Sequence, residues 1–267
     1  MPRFAANLSM LFTEHPFLER FDRAGAAGFA GVEFLFPYAE DIPAVRDALR
    51  RNGLEQVLFN LPAGDFAAGE RGFANDPARR GEFRVGVGRA LEIADTLGCR
   101  RLNCLVGLAL PGVPEADQWA TAAENLAFAA SEAEGAGVRV VVEPLNVYDA
   151  PGFLLPTTER ALALLDAAAH PNLAVQYDVY HAQRGEGNLV ATIRRHLDRV
   201  GHVQAADSPD RHEPGTGEIN YPFVFRALDE AGYGGWVGLE YRPAAGTEAS
   251  LGWLRDHGFL ARAEPSA

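Results

Sequence analysis

A chain of 267 residues that is 48% hydrophobic and 22% charged has the composition of a globular protein able to bury a full core. Its formal net charge of −12 argues against nucleic-acid backbone as a partner, because affinity there comes from Lys and Arg neutralising phosphates. The length lies near the roughly 250 residues of a barrel of eight strand–helix units, so one domain over residues 1–260 with a short tail at 261–267 is expected.

In chain order, the first apolar run, residues 3–7, reads as a strand and leads into Asn7-Leu8-Ser9-Met10. No Gly-rich dinucleotide or phosphate loop follows it, which disfavours a doubly wound open sheet. Helical periodicity at 17–27 precedes a strand at 31–34, and the pattern repeats: helix 44–51, strand 56–60, helix 82–97, strand 101–105. The second half continues with helix 119–135, strand 139–143, helix 158–169, strand 174–178, helix 189–197, strand 201–204, helix 221–231 and strand 236–240. Gly28, Gly53, Gly98 and Gly232 stand where helices would end on a C-cap. Eight strands alternating with helices at a spacing of about 30 residues imply right-handed crossovers, a parallel sheet and closure into a single-domain (β/α)8 TIM barrel.

Cys99 and Cys104 match no paired metal spacing and read as reduced thiols. The opening Met-Pro-Arg-Phe-Ala-Ala-Asn lacks the apolar core of a signal peptide, and no run approaches the roughly 18 apolar residues of a membrane span. A cytoplasmic location is therefore expected, without a membrane partner. Barrel enzymes often pair, but no apolar helix face stands out as an interface, so the sequence leaves a homo-oligomer open.

Four apolar runs each stop on a side chain able to hold a divalent cation: Glu143, Asp178, Gln204 and Glu240. Residues that end barrel strands point into the mouth where ligands bind. Three carboxylates and an amide oxygen form a hard ligand set, suited to Mg²⁺ or Mn²⁺ rather than to zinc or copper. Each added carboxylate in such a mouth raises its neighbours' pKa unless a cation sits among them. Asn7, Glu33, Asn60 and Asn103 end other strands and would converge on the same mouth. His181, three residues past Asp178, stands where a substrate oxygen could be hydrogen-bonded, and Arg211 in the long loop after strand seven suits a substrate carboxylate. Two Gly-rich connections, residues 62–72 and 207–220, read as lids or clamps over the mouth. An ion held this way, with open positions, would polarise an α-hydroxycarbonyl, and Glu143 and Glu240 would shuttle the carbon-bound proton.

Several segments together resemble the hydroxypyruvate isomerase family. They are Arg3-Phe4-Ala5-Ala6-Asn7-Leu8-Ser9-Met10-Leu11-Phe12, Gly31-Val32-Glu33-Phe34, Asn60-Leu61-Pro62-Ala63-Gly64-Asp65, Gly69-Glu70-Arg71-Gly72, Glu143-Pro144-Leu145-Asn146, Tyr177-Asp178-Val179-Tyr180-His181, Glu213-Pro214-Gly215-Thr216-Gly217-Glu218-Ile219-Asn220-Tyr221 and Gly235-Trp236-Val237-Gly238-Leu239-Glu240-Tyr241. The resemblance runs nearly end to end and implies the xylose-isomerase-like barrel superfamily. It implies a divalent metal held by Glu143, Asp178, Gln204 and Glu240, with Glu143 and Glu240 as the acid/base pair. The implied reaction is the interconversion of hydroxypyruvate and 2-hydroxy-3-oxopropanoate by proton transfer through an enediolate, on a small anionic hydroxy-oxo acid.

The superfamily's sugar epimerases usually carry histidine at the position of Gln204, so glutamine favours the hydroxypyruvate branch. The related 2-oxo-tetronate isomerases share residues 2–10 and the segment Pro209-Asp210-Arg211-His212-Glu213-Pro214. They and the ketose 3-epimerases are the alternatives within the superfamily, and a noncatalytic sugar-acid binding protein is the alternative outside catalysis. The abasic-site endonucleases of the superfamily would need clustered histidines and a basic face, whereas the seven histidines here are scattered.

Overall fold

The computed structural model describes residues 2–259, so the tail expected at 261–267 lies outside the described residues. Eight parallel strands form a closed barrel in sequence order: β1 (Arg3–Asn7), β2 (Gly31–Glu33), β3 (Glu55–Asn60), β4 (Arg101–Cys104), β5 (Arg139–Val142), β6 (Leu173–Asp178), β7 (Val200–Ala205) and β8 (Trp236–Leu239). Closure comes from β1 pairing with β8, Arg3 opposite Trp236 and Ala6 opposite Leu239. The expected (β/α)8 architecture is therefore the fold observed.

Helices α1 (Phe17–Ala26), α2 (Ile42–Asn52), α3 (Arg80–Leu97), α4 (Glu115–Gly135) and α5 (Thr158–Ala168) fill the crossovers of the first half. The second half adds α6 (Val179–Gly185), α7 (Leu189–His196), α8 (Tyr221–Glu230) and two short closing helices, α9 (Thr247–Ser250) and α10 (Gly252–Asp256). Helix α2 starts at an Asp41 cap that accepts from the Ala44 N–H, and ends at Gly53, whose φ of 62° is a left-handed conformation that glycine adopts without strain. None of the described helices is long and apolar enough to cross a membrane.

The two faces of each strand divide the core. Outward residues such as Val140, Val142, Val175, Tyr177, Val237 and Leu239 join one large cluster with the helices. A separate small cluster holds Ala5, Val57, Val141, Ala174 and Trp236. Gly31 and Gly201 make room for this second cluster: a Cβ on Gly31 would press on Trp236 and Val57, and one on Gly201 on Val141 and Ala174. Period-two alternation along β5 then points Arg139, Val141 and Glu143 the same way, and along β8 Trp236, Gly238 and Glu240. Each such strand carries an apolar middle and a polar top. The polar tops form the mouth.

Candidate active site

Glu143, Asp178, Gln204 and Glu240 all lie buried around the C-terminal mouth. With His181 and Arg211, Glu143 and Glu240 line a cavity of about 340 Å³ that also meets Asn60, Arg71, Tyr180 and Arg242, whereas Asp178 and Gln204 are not among its lining residues. Glu143 and Glu240 each stand one residue past the last strand pairing of β5 and β8, where the chain turns out of the barrel.

Burial raises the pKa of all three acids. Glu143 is pushed well up by burial, then by the charges of Glu240 and Asp178, against Arg211 and a hydrogen bond from Asn103 Nδ2 to its Oε2 at 2.8 Å. Burial also raises Glu240, to about 8, while Arg211 pulls it down and Asp178 and Glu33 push it up. Asp178 rises through burial against Arg211 and two backbone donors, for its Oδ1 caps α6 by accepting the Tyr180 and His181 N–H groups. Such cap use leaves its Oδ2 to Arg211 and His181.

Arg211 is the cation that holds these acids together in the protein itself. Its Nη2 lies 3.3 Å from Asp178 Oδ2 and 3.3 Å from Glu240 Oε1, and its guanidinium sits over the Tyr180 ring. The loop presenting it is organised by Asp207, whose carboxylate accepts from Ser208, Gly215 and Ile219 N–H groups. Arg211 has a φ of 58°, a left-handed conformation, and its own N–H and carbonyl are tied to the Asp207 carbonyl and the Arg242 N–H. The surrounding bonds thus fix the backbone that aims the guanidinium inward.

His181 lies buried with Nε2 3.8 Å from Asp178 Oδ2. Its Nδ1 accepts the backbone N–H of Asn146 at 3.2 Å and the Asn146 side-chain amide at 2.7 Å. Burial, with Arg211 and Arg184 nearby, lowers its pKa well below the ordinary value, so the ring is neutral with its proton on Nε2. That tautomer makes His181 a hydrogen-bond donor into the mouth.

Gln204 is held at both ends: Nε2 donates to Glu33 Oε1 at 2.7 Å and Oε1 accepts from Gln176 Nε2 at 2.7 Å. Glu33 also accepts from Asn7 Nδ2 at 3.0 Å and faces His202 Nε2 at 2.7 Å from its Oε2. Of this buried floor under the mouth, the sequence pattern marks only the polar strand ends Asn7 and Glu33. His202 lies inside an apolar run and carries no sequence pattern of its own. Arg71 was likewise foreseen only as part of a Gly-rich clamp; it reaches the cavity while its Nη1 donates to the Phe66 and Glu70 carbonyls and its guanidinium stacks 4.0 Å from the Phe66 ring.

Glu143, Asp178 and His181 bring one atom each within 4.8 Å of one another, all buried, and with His181 protonated on Nε2 the two carboxylates are the members of that group open to a metal ion. A closed parallel barrel with polar and acidic side chains gathered at its C-terminal mouth is the architecture of the TIM-barrel enzymes. Residues 21–257 match the model of the xylose isomerase-like TIM barrel family, and the chain belongs to that family. The chain is 50% identical over 254 residues to a protein of Escherichia coli (strain K12) named hydroxypyruvate isomerase, covering 95% of this chain and 98% of the relative. It is 49% identical over 257 residues to a 2-oxo-tetronate isomerase of Cupriavidus necator, covering 96% and 99%. A solved structure titled AP endonuclease, family 2, from Brucella melitensis superposes with a TM-score of 0.94 at 47% identity, covering 96% of this chain and 99% of that one.

Proposed function

We propose that this chain is an isomerase that interconverts hydroxypyruvate and 2-hydroxy-3-oxopropanoate, with Glu143 and Glu240 as the proton-transfer pair. The carrying observation is two buried glutamates with raised pKa values, facing one cavity together with a neutral His181 and Arg211. A carboxyl tuned upward toward neutrality is what proton transfer at a carbon needs.

In this reading Arg211 and Arg71 bind the substrate carboxylate, and His181 Nε2–H donates to the substrate's oxygen as negative charge develops there. One glutamate takes the proton from C3 of hydroxypyruvate, giving an enediolate. The other delivers a proton to C2 and takes up the O3 proton as C3 becomes the aldehyde, while the proton first taken from C3 passes to O2, so both glutamates return to their starting states. The atoms balance with no oxidant or reductant. Glu143, Asp178, Gln204 and Glu240 would hold Mg²⁺ or Mn²⁺, and three buried acids with raised pKa values, two of them within 4.8 Å of each other, fit such an ion. When bound, the ion would polarise the carbonyl and offset the charge of the mouth. Gln204 Oε1 already accepts from Gln176 and keeps a second lone pair for a ligand role.

Conversion of a four-carbon 2-oxo-tetronate is the second reading. It is favoured by the near-equal identity to a relative of that name and by a cavity larger than a three-carbon acid fills. A DNA partner is disfavoured by the net charge of −12 and by a mouth whose metal-capable group holds one histidine among the described residues. The test is isomer formation with pure protein plus Mg²⁺ or Mn²⁺ and hydroxypyruvate, 2-oxo-tetronate or ketohexoses in turn. Glu143→Gln and Glu240→Gln should each lower turnover by orders of magnitude without changing Tm by more than a few degrees. Inactivity of the wild-type chain on every acid and ketose would leave a binding protein and end the proposal.

A further inference from the structure

The alternation that lifts oxygen ligands to the mouth places arginines at the opposite end of the same strands. Arg3 and Asn7 lie on one face of β1, Arg101 and Asn103 on one face of β4, and Arg139 and Glu143 on one face of β5 and its continuation. At the N-terminal end of the barrel, Arg100, Arg101 and Arg139 line an open cleft of about 660 Å³ with Arg194, Gly201 and Tyr233. Arg101 and Arg139 are register partners on neighbouring strands, and both reach toward the start of β7. Arg101 Nε donates to the Gly201 carbonyl at 3.1 Å, and Arg139 Cδ passes within 3.8 Å of where a Cβ on Gly201 would stand.

These charges are not balanced. Asp198 is the one acid among the described residues lining the cleft, and Arg194 is engaged by Glu230 at 3.1 Å. The Arg139 Nε is buried with no hydrogen-bond partner, and burial together with the Arg101 charge lowers its pKa. Like charges brought together at a partly buried place cost stability, so this arrangement is not explained as scaffold reinforcement. It is also the reverse of the chain's net charge of −12. An acidic protein has concentrated guanidinium groups, the side chains best matched to phosphate oxygens, at one cleft.

We propose that the N-terminal cleft is an oxyanion site that takes the phosphate group of a phosphate monoester between Arg100, Arg101 and Arg139. Arg139 and Arg101 present their terminal nitrogens while the Arg101 Nε stays on Gly201, and the apolar wall of Leu197, Val200 and Tyr233 lies beside the ester's organic part. The site is independent of the reaction at the mouth, at the far end of the same strands.

Titration calorimetry with glycerol 3-phosphate and with inorganic phosphate, at ionic strength held constant with chloride, tests it. Binding of the ester, alone or together with inorganic phosphate, supports the site, and binding of inorganic phosphate alone assigns it to the free ion. Arg139→Gln should weaken binding about tenfold or more, since charge-assisted hydrogen bonds are lost, and Arg100→Gln should add to the loss. Hydroxypyruvate should not compete, which separates this cleft from the mouth. Should the variants fail to fold, hydrogen exchange of the wild type decides: added ligand should protect residues 99–101, 137–139 and 198–201. Binding unchanged in the double variant, protection confined to the mouth loops, or no binding of either probe would overturn the proposal.

Discussion

Gln204 donates its Nε2–H to Glu33 Oε1 at 2.7 Å, and this bond fixes which end of the amide faces which neighbour. The amide oxygen is left to Gln176. Glu33 gathers Asn7 and His202 at the same carboxylate, so four strands (β1, β2, β6 and β7) meet through one buried hydrogen-bonded floor. A ligand oxygen is useful only if it is aimed, and the aiming is done from below.

Glu33→Gln should therefore disturb Gln204 without touching substrate. The new amide would turn an NH2 toward at least one donor, leaving that buried donor unsatisfied at a cost of about 1–3 kcal/mol. Turnover should fall about 10- to 100-fold, the usual effect of removing a partner that orients a ligand. The readout that separates positioning from mere loss of fold is metal affinity: the Mn²⁺ Kd should rise in a variant whose far-UV circular dichroism is unchanged. An unaltered Kd would reduce Glu33 to a packing residue.

The mouth should also write itself into the pH dependence of the metal-free protein. Glu240 has a folded-state pKa near 8 against an ordinary 4.5, and Glu143 and Asp178 shift the same way. Between those values the folded chain keeps protons that the unfolded chain has released, so stability falls as pH rises. His181 acts oppositely, but only below its ordinary 6.5, where the unfolded chain takes up a proton that the buried ring refuses. In EDTA, Tm should thus decline from pH 6.5 to about 8. Added Mn²⁺ should raise Tm most at the upper end, and its binding at pH 7 should release protons into a weakly buffered solution. A flat Tm across that window, with no proton release, would remove the coupled acids from the picture.

The fold was legible because its signals are local and repeated. Apolar runs alternating with amphipathic stretches mark the eight strands, and all eight form one barrel. Element edges were less legible: α2, α3 and α4 begin two to four residues before their periodic stretches, α2 because Pro43 sits in its first turn and α3 and α4 because polar first turns carry no apolar spacing. Helix α6 was missed outright. It spans seven residues, too short for a periodicity to show, and Asp178, singled out for its chemistry, is also its cap. The site divides along the same line. Strand-ending Glu143, Asp178, Gln204 and Glu240 announce themselves by position, whereas the Glu33–His202 contact and the Asp207-centred loop join residues far apart in sequence through geometry alone.

Arg211 stands between Asp178 and Glu240, and its removal should be felt first by the fold. Arg211→Gln leaves three buried acids without their internal cation, which costs about 3–5 kcal/mol in the metal-free state when one partner of a buried ionic group is deleted. The loss should shrink at low pH, where the acids protonate, and shrink again on adding Mn²⁺. Arg211→Lys keeps the charge but loses the planar guanidinium fork, so kcat/KM should drop about 10- to 100-fold, mainly through KM for the carboxylate substrate. Chemical denaturation with and without Mn²⁺ measures the first effect and steady-state kinetics the second. Equal stability of Arg211→Gln and wild type in EDTA would contradict the bridging role.

Gly72 is the hinge by which the loop of residues 62–72 is pinned to the barrel. Its φ is 95°, and a Cβ there would overlap the Leu105 carbonyl, while Gly72 and Phe73 make antiparallel bridges to Val106 and Gly107. Neither obstacle can be relieved by a side-chain rotation, since the clashing atom belongs to the backbone after β4. Gly72→Ala must therefore lift the loop, withdrawing Arg71 and its Phe66 stack from the cavity. Stability should fall by about 1–3 kcal/mol, as for overpacking at a closed contact, and KM should rise more than kcat falls. Arg71→Ala should reproduce the KM effect with Tm nearly unchanged. If Gly72→Ala lost stability with KM unaltered, the loop would be a spacer and the clamp assigned to Arg71 would have to be given up.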